Sequence, residues 1–173
     1  LQEGQIGGEQ VFHHTRIGRG GAPFEAWKYR TMMRDADVIL EQALEEDPSL
    51  QEEWSATQKL KHDPRLTRVG KVIRRLSLDE LPQLYNVLRG EMSLVGPRPT
   101  FFGTDTYLLW HTGRLDVLPG LTGLWQVTGR GTDIDFDEKS RLDIAYVERQ
   151  CLTLDIDILL RTIFVVIKGN GAY

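Results

Sequence analysis

Cysteine is nearly absent: Cys151 stands alone among 173 residues, which excludes an intrachain disulfide and any metal site built from paired thiolates. No apolar run approaches the roughly 20 residues that a bilayer-spanning helix needs, and no secretory signal is present. Basic charge is not in excess. A formal net charge of −4 argues against a general nucleic-acid binder, which needs a positive field. The glycine-rich stretches hold neither a Walker-type Gly-Lys-Ser/Thr nor a dinucleotide fingerprint, so the common nucleotide-binding motifs are missing too. The chain opens on Leu1 without a Met, and a preceding segment is expected. What remains is ordinary for a globular protein: 40% hydrophobic and 27% charged residues, enough for one domain over residues 1–173 with its own core.

Periodicity and breakers predict an α+β fold of mostly short helices with one small β-hairpin. Glu9–Ile17 and Ala22–Arg30 flank Gly18-Arg19-Gly20-Gly21 as hairpin strands. Asp35–Glu46 and Leu50–Leu60 read as helices broken at Asp47-Pro48. Thr67–Arg75 follows as a short helix with Val69, Val72, Ile73 and Leu76 on its apolar side. Asp79–Leu88 is another, ended by Gly90. Gly96-Pro97-Arg98-Pro99 is stiff and non-helical, with one projecting arginine. Thr104–Thr112 is expected to be a short helix and Pro119–Gly131 a shaped loop with some strand. Asp135–Gln150 and Leu154–Lys168 complete the helices.

Charge is uneven along the chain. Eight acids face one base between Arg34 and Glu53, whereas seven bases face Asp63 alone between Lys59 and Arg75. The basic stretch runs directly into Arg74-Arg75-Leu76-Ser77-Leu78-Asp79-Glu80, which suits an anion or an anionic surface. Two readings of Asp79-Glu80 stand side by side. Ser77-x-x-Glu80 fits a capping box, with the acids in a first helical turn. Adjacent carboxylates beside arginines are also what phosphoryl chemistry uses: one attacks phosphorus or takes a proton, its neighbour holds a divalent metal, and guanidinium groups hold phosphate. Leu154–Lys168 is open in the same way. Asp157, Arg161 and Lys168 form a polar stripe on an otherwise apolar helix, which fits a buried core helix or one lying at a membrane interface. Asp155 lies off that stripe, near Thr162, and needs a partner.

Several segments together resemble the monotopic phosphoglycosyl transferases, the bacterial sugar transferase family that starts exopolysaccharide and O-antigen synthesis. They are Arg16–Gly21, Phe24 with Lys28–Met32, Asp63–Gly70, Ser77–Val87, Met92–Pro99 and Pro119–Arg130. Their order along the chain is the family's order, which is far more specific than any one of them.

The resemblance implies transfer of a sugar-1-phosphate, a hexose by the look of Trp125 and the Gly171-Ala172-Tyr173 ending, from a UDP-sugar to undecaprenyl phosphate. Asp79 would be the nucleophile and Glu80 the Mg²⁺ ligand. Arg74, Lys28 and Arg98 would bind phosphate, Asp155 would be a supporting acid, and the loop carrying Gln126 and Arg130 would shape the nucleotide-sugar pocket. It also implies the cytoplasmic face of a bacterial inner membrane and a re-entrant membrane helix upstream of Leu1. Homo-oligomerisation stays open. On this reading the dyad is catalytic and capping is left to Ser77. The competing readings are a non-catalytic membrane module of a polysaccharide assembly complex, a soluble phosphohydrolase using Asp79, and an N-acetylhexosamine-1-phosphate transferase.

Overall fold

The computed structural model describes residues 10–57, 60–100, 107–129 and 135–168, and their fold is mixed, with helices around two small sheets. β1 (Val11–Ile17) and β2 (Pro23–Tyr29) form the expected antiparallel hairpin, with Phe12 opposite Lys28, His14 opposite Ala26 and Arg16 opposite Phe24. Side chains two apart, and those of paired residues, share a face, so His14, Arg16 and Lys28 project to the same side.

α1 (Ala36–Glu46) and α2 (Pro48–Thr57) follow. Pro48 begins α2 instead of holding two helices apart. Proline suits a first helical position, and Asp47 Oδ1 accepts from Ser49 N at 2.8 Å there. Leu60, expected in that helix, lies beyond it and is buried. α3 (Arg68–Arg75) starts where Thr67 Oγ1 accepts from Gly70 N at 2.8 Å, a side-chain cap of the usual kind.

After α4 (Gln83–Leu88), β3 (Ser93–Val95) pairs in parallel with β4 (Gly120–Thr122), joined by a crossover that includes a 3₁₀ segment, Leu109–Leu115. The two strands' ends meet backbone to backbone. A Cβ on Gly120 would lie 2.1 Å from Gly96 N, so only glycine permits this approach. Residues 101–106, where part of the Thr104–Thr112 helix was expected, lie outside the described set.

The stretch read as a loop with some strand, Pro119–Gly131, holds β4 and then a helix, α5 (Leu124–Thr128). Two apolar residues three apart, Leu124 and Val127, turn it onto a core of Val95, Tyr146 and Ile158. The last two come from α6 (Phe136–Arg149) and α7 (Leu152–Lys168), and Asp135 Oδ1 caps α6 by accepting from Glu138 N.

α7 has one packed side and one exposed apolar side. Leu154, Ile158 and Leu159 pack inward, and Thr162 Oγ1 meets Thr122 Oγ1 at 2.7 Å. Leu152, Ile156, Leu160, Ile163, Phe164 and Ile167 are exposed. At roughly 100° per residue they share an arc of about 120°. On α3, Val69 and Val72 from the expected apolar side are exposed, as are Leu84, Tyr85 and Leu88 on α4. No helix among the described residues is long and apolar enough to cross a membrane.

Candidate active site

Asp79 and Glu80 do not open a helix. They lie in a separate 3₁₀ turn, Leu78–Glu80, between α3 and α4. Ser77 ends α3 in the left-handed conformation, φ +54°, uncommon for a residue with a Cβ. Ser77 N donates to Arg74 O and Glu80 N to Ser77 O. The Ser77 side chain makes no cap hydrogen bond to this turn, so the expected capping box does not form. Pro82, which lacks an N–H, then separates the turn from α4. The sharp reversal puts Leu78 and Leu81 outside and Asp79 inside, 9% exposed. Departure from helix lets two adjacent acids reach the same cation, Lys28.

Four cations converge on them. Lys28 Nζ reaches Glu80 Oε1 at 2.7 Å and Asp79 Oδ2 at 3.5 Å. Arg98 grips Glu80 with both terminal nitrogens, Nη2 to Oε1 at 2.5 Å and Nη1 to Oε2 at 3.2 Å, a two-pronged geometry lysine cannot make. Arg74 lies within electrostatic reach of Asp79. Its Nε donates to Thr31 Oγ1 at 2.8 Å. Thr31 is itself pinned, because its carbonyl accepts from Thr67 N and Thr67 Oγ1. A Cβ on Gly70 would come within 2.1 Å of that carbonyl. Arg16 is the fourth, coupled to Arg98 and Glu80 from the hairpin face it shares with Lys28.

These surroundings drive the two acids apart. Burial raises the Asp79 carboxyl above the usual aspartate range; Lys28 pulls against this, Glu80 adds to it and Arg74 opposes it. Burial would raise Glu80 as well, but Arg98 and then Lys28 overcome it and hold the carboxyl well below the usual range. Adjacent carboxylates in opposite environments mark a division of roles. Glu80 is held as an anion, and Asp79 is the more basic of the two carboxylates.

The donor set suits a hard divalent cation. Magnesium is usually held by one or two carboxylates, with phosphate and water completing its shell. Glu80 Oε2 receives one hydrogen bond, from Arg98, where Oε1 receives two. A carboxylate oxygen offers two lone pairs, so Oε2 and the Asp79 carboxylate retain the capacity to ligate. Among the described residues no cluster of three or more His, Cys, Asp or Glu could hold a metal. Such an ion would therefore depend on a substrate's oxygens as well.

Two further expected site residues make their hydrogen bonds to other partners. Asp155 accepts from Tyr146 Oη at 2.7 Å, and no hydrogen bond or ion pair joins it to Asp79 or Glu80 among the described residues. Gln126, on α5, donates to Leu121 O at 3.3 Å, again with no such link to the dyad. Arg130 falls outside the described residues. Missed from sequence were Thr31, Arg16, Arg114 and Asp143. Only Arg16 carried a legible signal, its even spacing from His14 and its cross-strand relation to Lys28.

His14 adds a pH dependence. Burial, then Arg16 and Lys28, push its pKa down to about 4. An unfolded histidine titrates near 6.5, so between these values the unfolded chain binds a proton that the fold refuses. This contribution to stability is present above pH 6.5 and lost as pH falls towards 4. It amounts to roughly 2 kcal/mol once partial exposure is allowed for. Urea denaturation at pH 7 and pH 4 should show the protein losing about that much more than His14→Gln, and equal losses would exclude the effect.

Known proteins resemble this chain along nearly its whole length. Residues 3–169 match the family described as bacterial sugar transferase. The chain is 47% identical over 171 residues to a UDP-galactose-lipid carrier transferase of Erwinia amylovora, covering 96% of this chain and 35% of that protein. It is 45% identical over 170 residues to exopolysaccharide production protein ExoY of Rhizobium meliloti, covering 96% and 74%. It is 40% identical over 174 residues to a UDP-glucose:undecaprenyl-phosphate glucose-1-phosphate transferase of Caulobacter vibrioides, covering 96% and 60%. The chain thus spans about a third of the Erwinia protein's length. A match over nearly every residue places the chain within the bacterial sugar transferase family.

Proposed function

We propose that the chain catalyses transfer of a hexose-1-phosphate from a UDP-sugar to undecaprenyl phosphate, as the first membrane step of exopolysaccharide or O-antigen synthesis. One observation carries this reading: of two adjacent carboxylates, shifted in opposite directions, both meet Lys28 and one is gripped by Arg98, with Arg74 and Arg16 within electrostatic reach. Four positive side chains around two negative ones leave room for a phosphoryl group's charge. The names of the relatives, galactose in one and glucose in another, support a hexose.

In the first half-reaction an Asp79 carboxylate oxygen attacks the β-phosphorus. The bond from phosphorus to the bridging oxygen breaks, UMP leaves with that oxygen, and a phosphosugar-aspartate remains. In the second, a phosphate oxygen of undecaprenyl phosphate attacks the same phosphorus and releases Asp79. A carboxylate needs no general base for the first attack. It needs neutralisation of the phosphoryl oxygens, which Lys28, Arg74 and Arg98 supply from fixed positions. Glu80, with Asp79 beside it, would hold Mg²⁺. Bound there, the ion would offset the pyrophosphate's charge.

The exposed apolar stripe of α7 and the exposed apolar residues of α3 and α4 suit an interfacial seat on the cytoplasmic face of a bacterial inner membrane, where a lipid acceptor resides. UMP release from a panel of UDP-sugars, with Mg²⁺ and undecaprenyl phosphate, tests the whole reading. Release with UDP-glucose or UDP-galactose is expected. Turnover only with N-acetylated sugars would sink the hexose assignment, and silence with every donor would sink the enzyme.

A further inference from the structure

Arg98 makes the two-pronged grip on Glu80, yet it lies in Gly96–Pro99, which belongs to neither helix nor strand. Its main chain is held instead by three donors. Gly96 N donates to Thr122 O at 2.9 Å, and Gly120 N donates to Pro97 O at 2.8 Å. The third comes from a side chain: Arg114 Nη2 donates to Arg98 O at 2.7 Å. Arg114 sits on the 3₁₀ segment Leu109–Leu115 and is 4% exposed. The same Nη2 donates to Asp143 Oδ2 at 2.5 Å, and Asp143, on α6, is 1% exposed. An unbroken series of contacts therefore runs from α6 through Arg114 and the Arg98 carbonyl to the guanidinium on Glu80.

Stability does not explain this pair. Taking two charges out of water costs more than it returns unless every polar atom is satisfied. Among the described residues Arg114 Nη1 and Asp143 Oδ1 have no hydrogen-bond partner, nor has Ser140 Oγ one turn earlier on α6. Burial pushes Asp143 up to about 7, against the pull of Arg114 and then Arg98. Two apolar side chains would fill the same volume at lower cost. What they could not supply is a rigid donor aimed at one carbonyl oxygen.

We propose that Arg114 and Asp143 are positioning residues that seat the Arg98 main chain, so that its guanidinium meets the Glu80 carboxylate with both nitrogens and presents its outer edge to phosphate. That side chain keeps 35% of its surface exposed, enough to hold Glu80 and a ligand together. The proposal rests on reading Arg98 as a phosphate-binding cation, and its test separates the two.

The direct readout is the Arg98 Nε–H resonance of the 173-residue chain labelled with ¹⁵N-arginine, assigned by its disappearance in Arg98→Lys. In Arg114→Met and in Asp143→Asn this signal is expected to shift or broaden, while backbone amides away from Gly96–Pro99 and from the two sites stay in place. Alongside, kcat for UMP release should fall at least tenfold, with the KM for the UDP-sugar changing less than threefold. Arg114→Lys, which retains a charged donor, should recover part of both, and with Asp143→Asn it carries the test should Arg114→Met not fold. An unmoved Arg98 resonance in the folded variants overturns the positioning role, whatever the activity. A moved resonance with unchanged kcat upholds positioning and removes Arg98 from the chemistry. Absence of UMP release in the parent chain with every donor defeats the functional reading, and the resonance alone then decides the positioning.

Discussion

Asp79→Asn is expected to abolish UMP release and the trapped phosphosugar adduct together while leaving the fold intact. Asparagine matches aspartate in shape, but its amide is neither charged nor a useful nucleophile. Losses of a covalent nucleophile are large, on the order of 10³-fold or more. The expected stability change separates this effect from damage to the fold. Burial disfavours the Asp79 anion, so a neutral amide of the same size removes a desolvation cost. Lys28 surrenders a 3.5 Å contact and keeps the 2.7 Å one with Glu80. The variant should therefore melt at or slightly above the parent's temperature, as happens when a strained functional group is neutralised. Acid-quenched reactions with a sugar-labelled donor would show an adduct on the parent and none on the variant. Full activity in Asp79→Asn would remove the residue as nucleophile, and a lowered melting point would mean that its charge serves the fold.

What could be read from the sequence followed local rules. The hairpin announced itself around Gly18–Gly21, and the helices expected over Thr67–Arg75 and Asp135–Gln150 appear as α3 and α6, with Thr67 and Asp135 as their caps. Each cue acts within a few residues, so each survived into the fold. The dyad's surroundings were misjudged for a related reason. Asp and Glu ahead of Pro82 look like a helix start, and nothing local says that Ser77 will turn left-handed. The reversal positions Glu80 for Arg98 and Lys28, partners 18 and 52 residues away.

The unread residues act at long range without being charged nucleophiles or ligands themselves. Thr31 supports Arg74 across 43 residues, and Asp143 reaches Arg114 across 29. α5 escaped because the glycines around it suggest a loop, and two apolar residues are too few to announce a helix. Two of those glycines, Gly120 and Gly123, serve a close approach to Gly96. Asp155 was singled out rightly as a carboxylate needing a partner, and the partner beside it is a core tyrosine. Family resemblance supplied expectations for single residues that periodicity could not have ranked.

Glu80→Gln should do the opposite of Asp79→Asn to stability while also stopping turnover. The glutamine keeps the shape and removes the charge that Arg98 and Lys28 share. Truncating one partner of a buried pair strands the other, a loss of about 3–5 kcal/mol when burial is complete. Arg98 keeps 35% and Lys28 22% of their side-chain surface, so solvent repays part of that, and about 2 kcal/mol is expected. For a chain of this size that is a fall of roughly 5 °C in melting temperature. The pH dependence gives the sign independently. Glu80's carboxyl is held below the ordinary range, so its stabilisation is complete above about pH 4.3 and lost as pH falls through its folded value. The gap between parent and Glu80→Gln should thus be full at pH 7 and close in strong acid. Turnover should drop on the order of 10²-fold or more, with a higher Mg²⁺ concentration needed for whatever remains. Equal stability of parent and Glu80→Gln at pH 7 would rule out the electrostatic division between the neighbours, because two acids in like surroundings would respond alike to losing their charge.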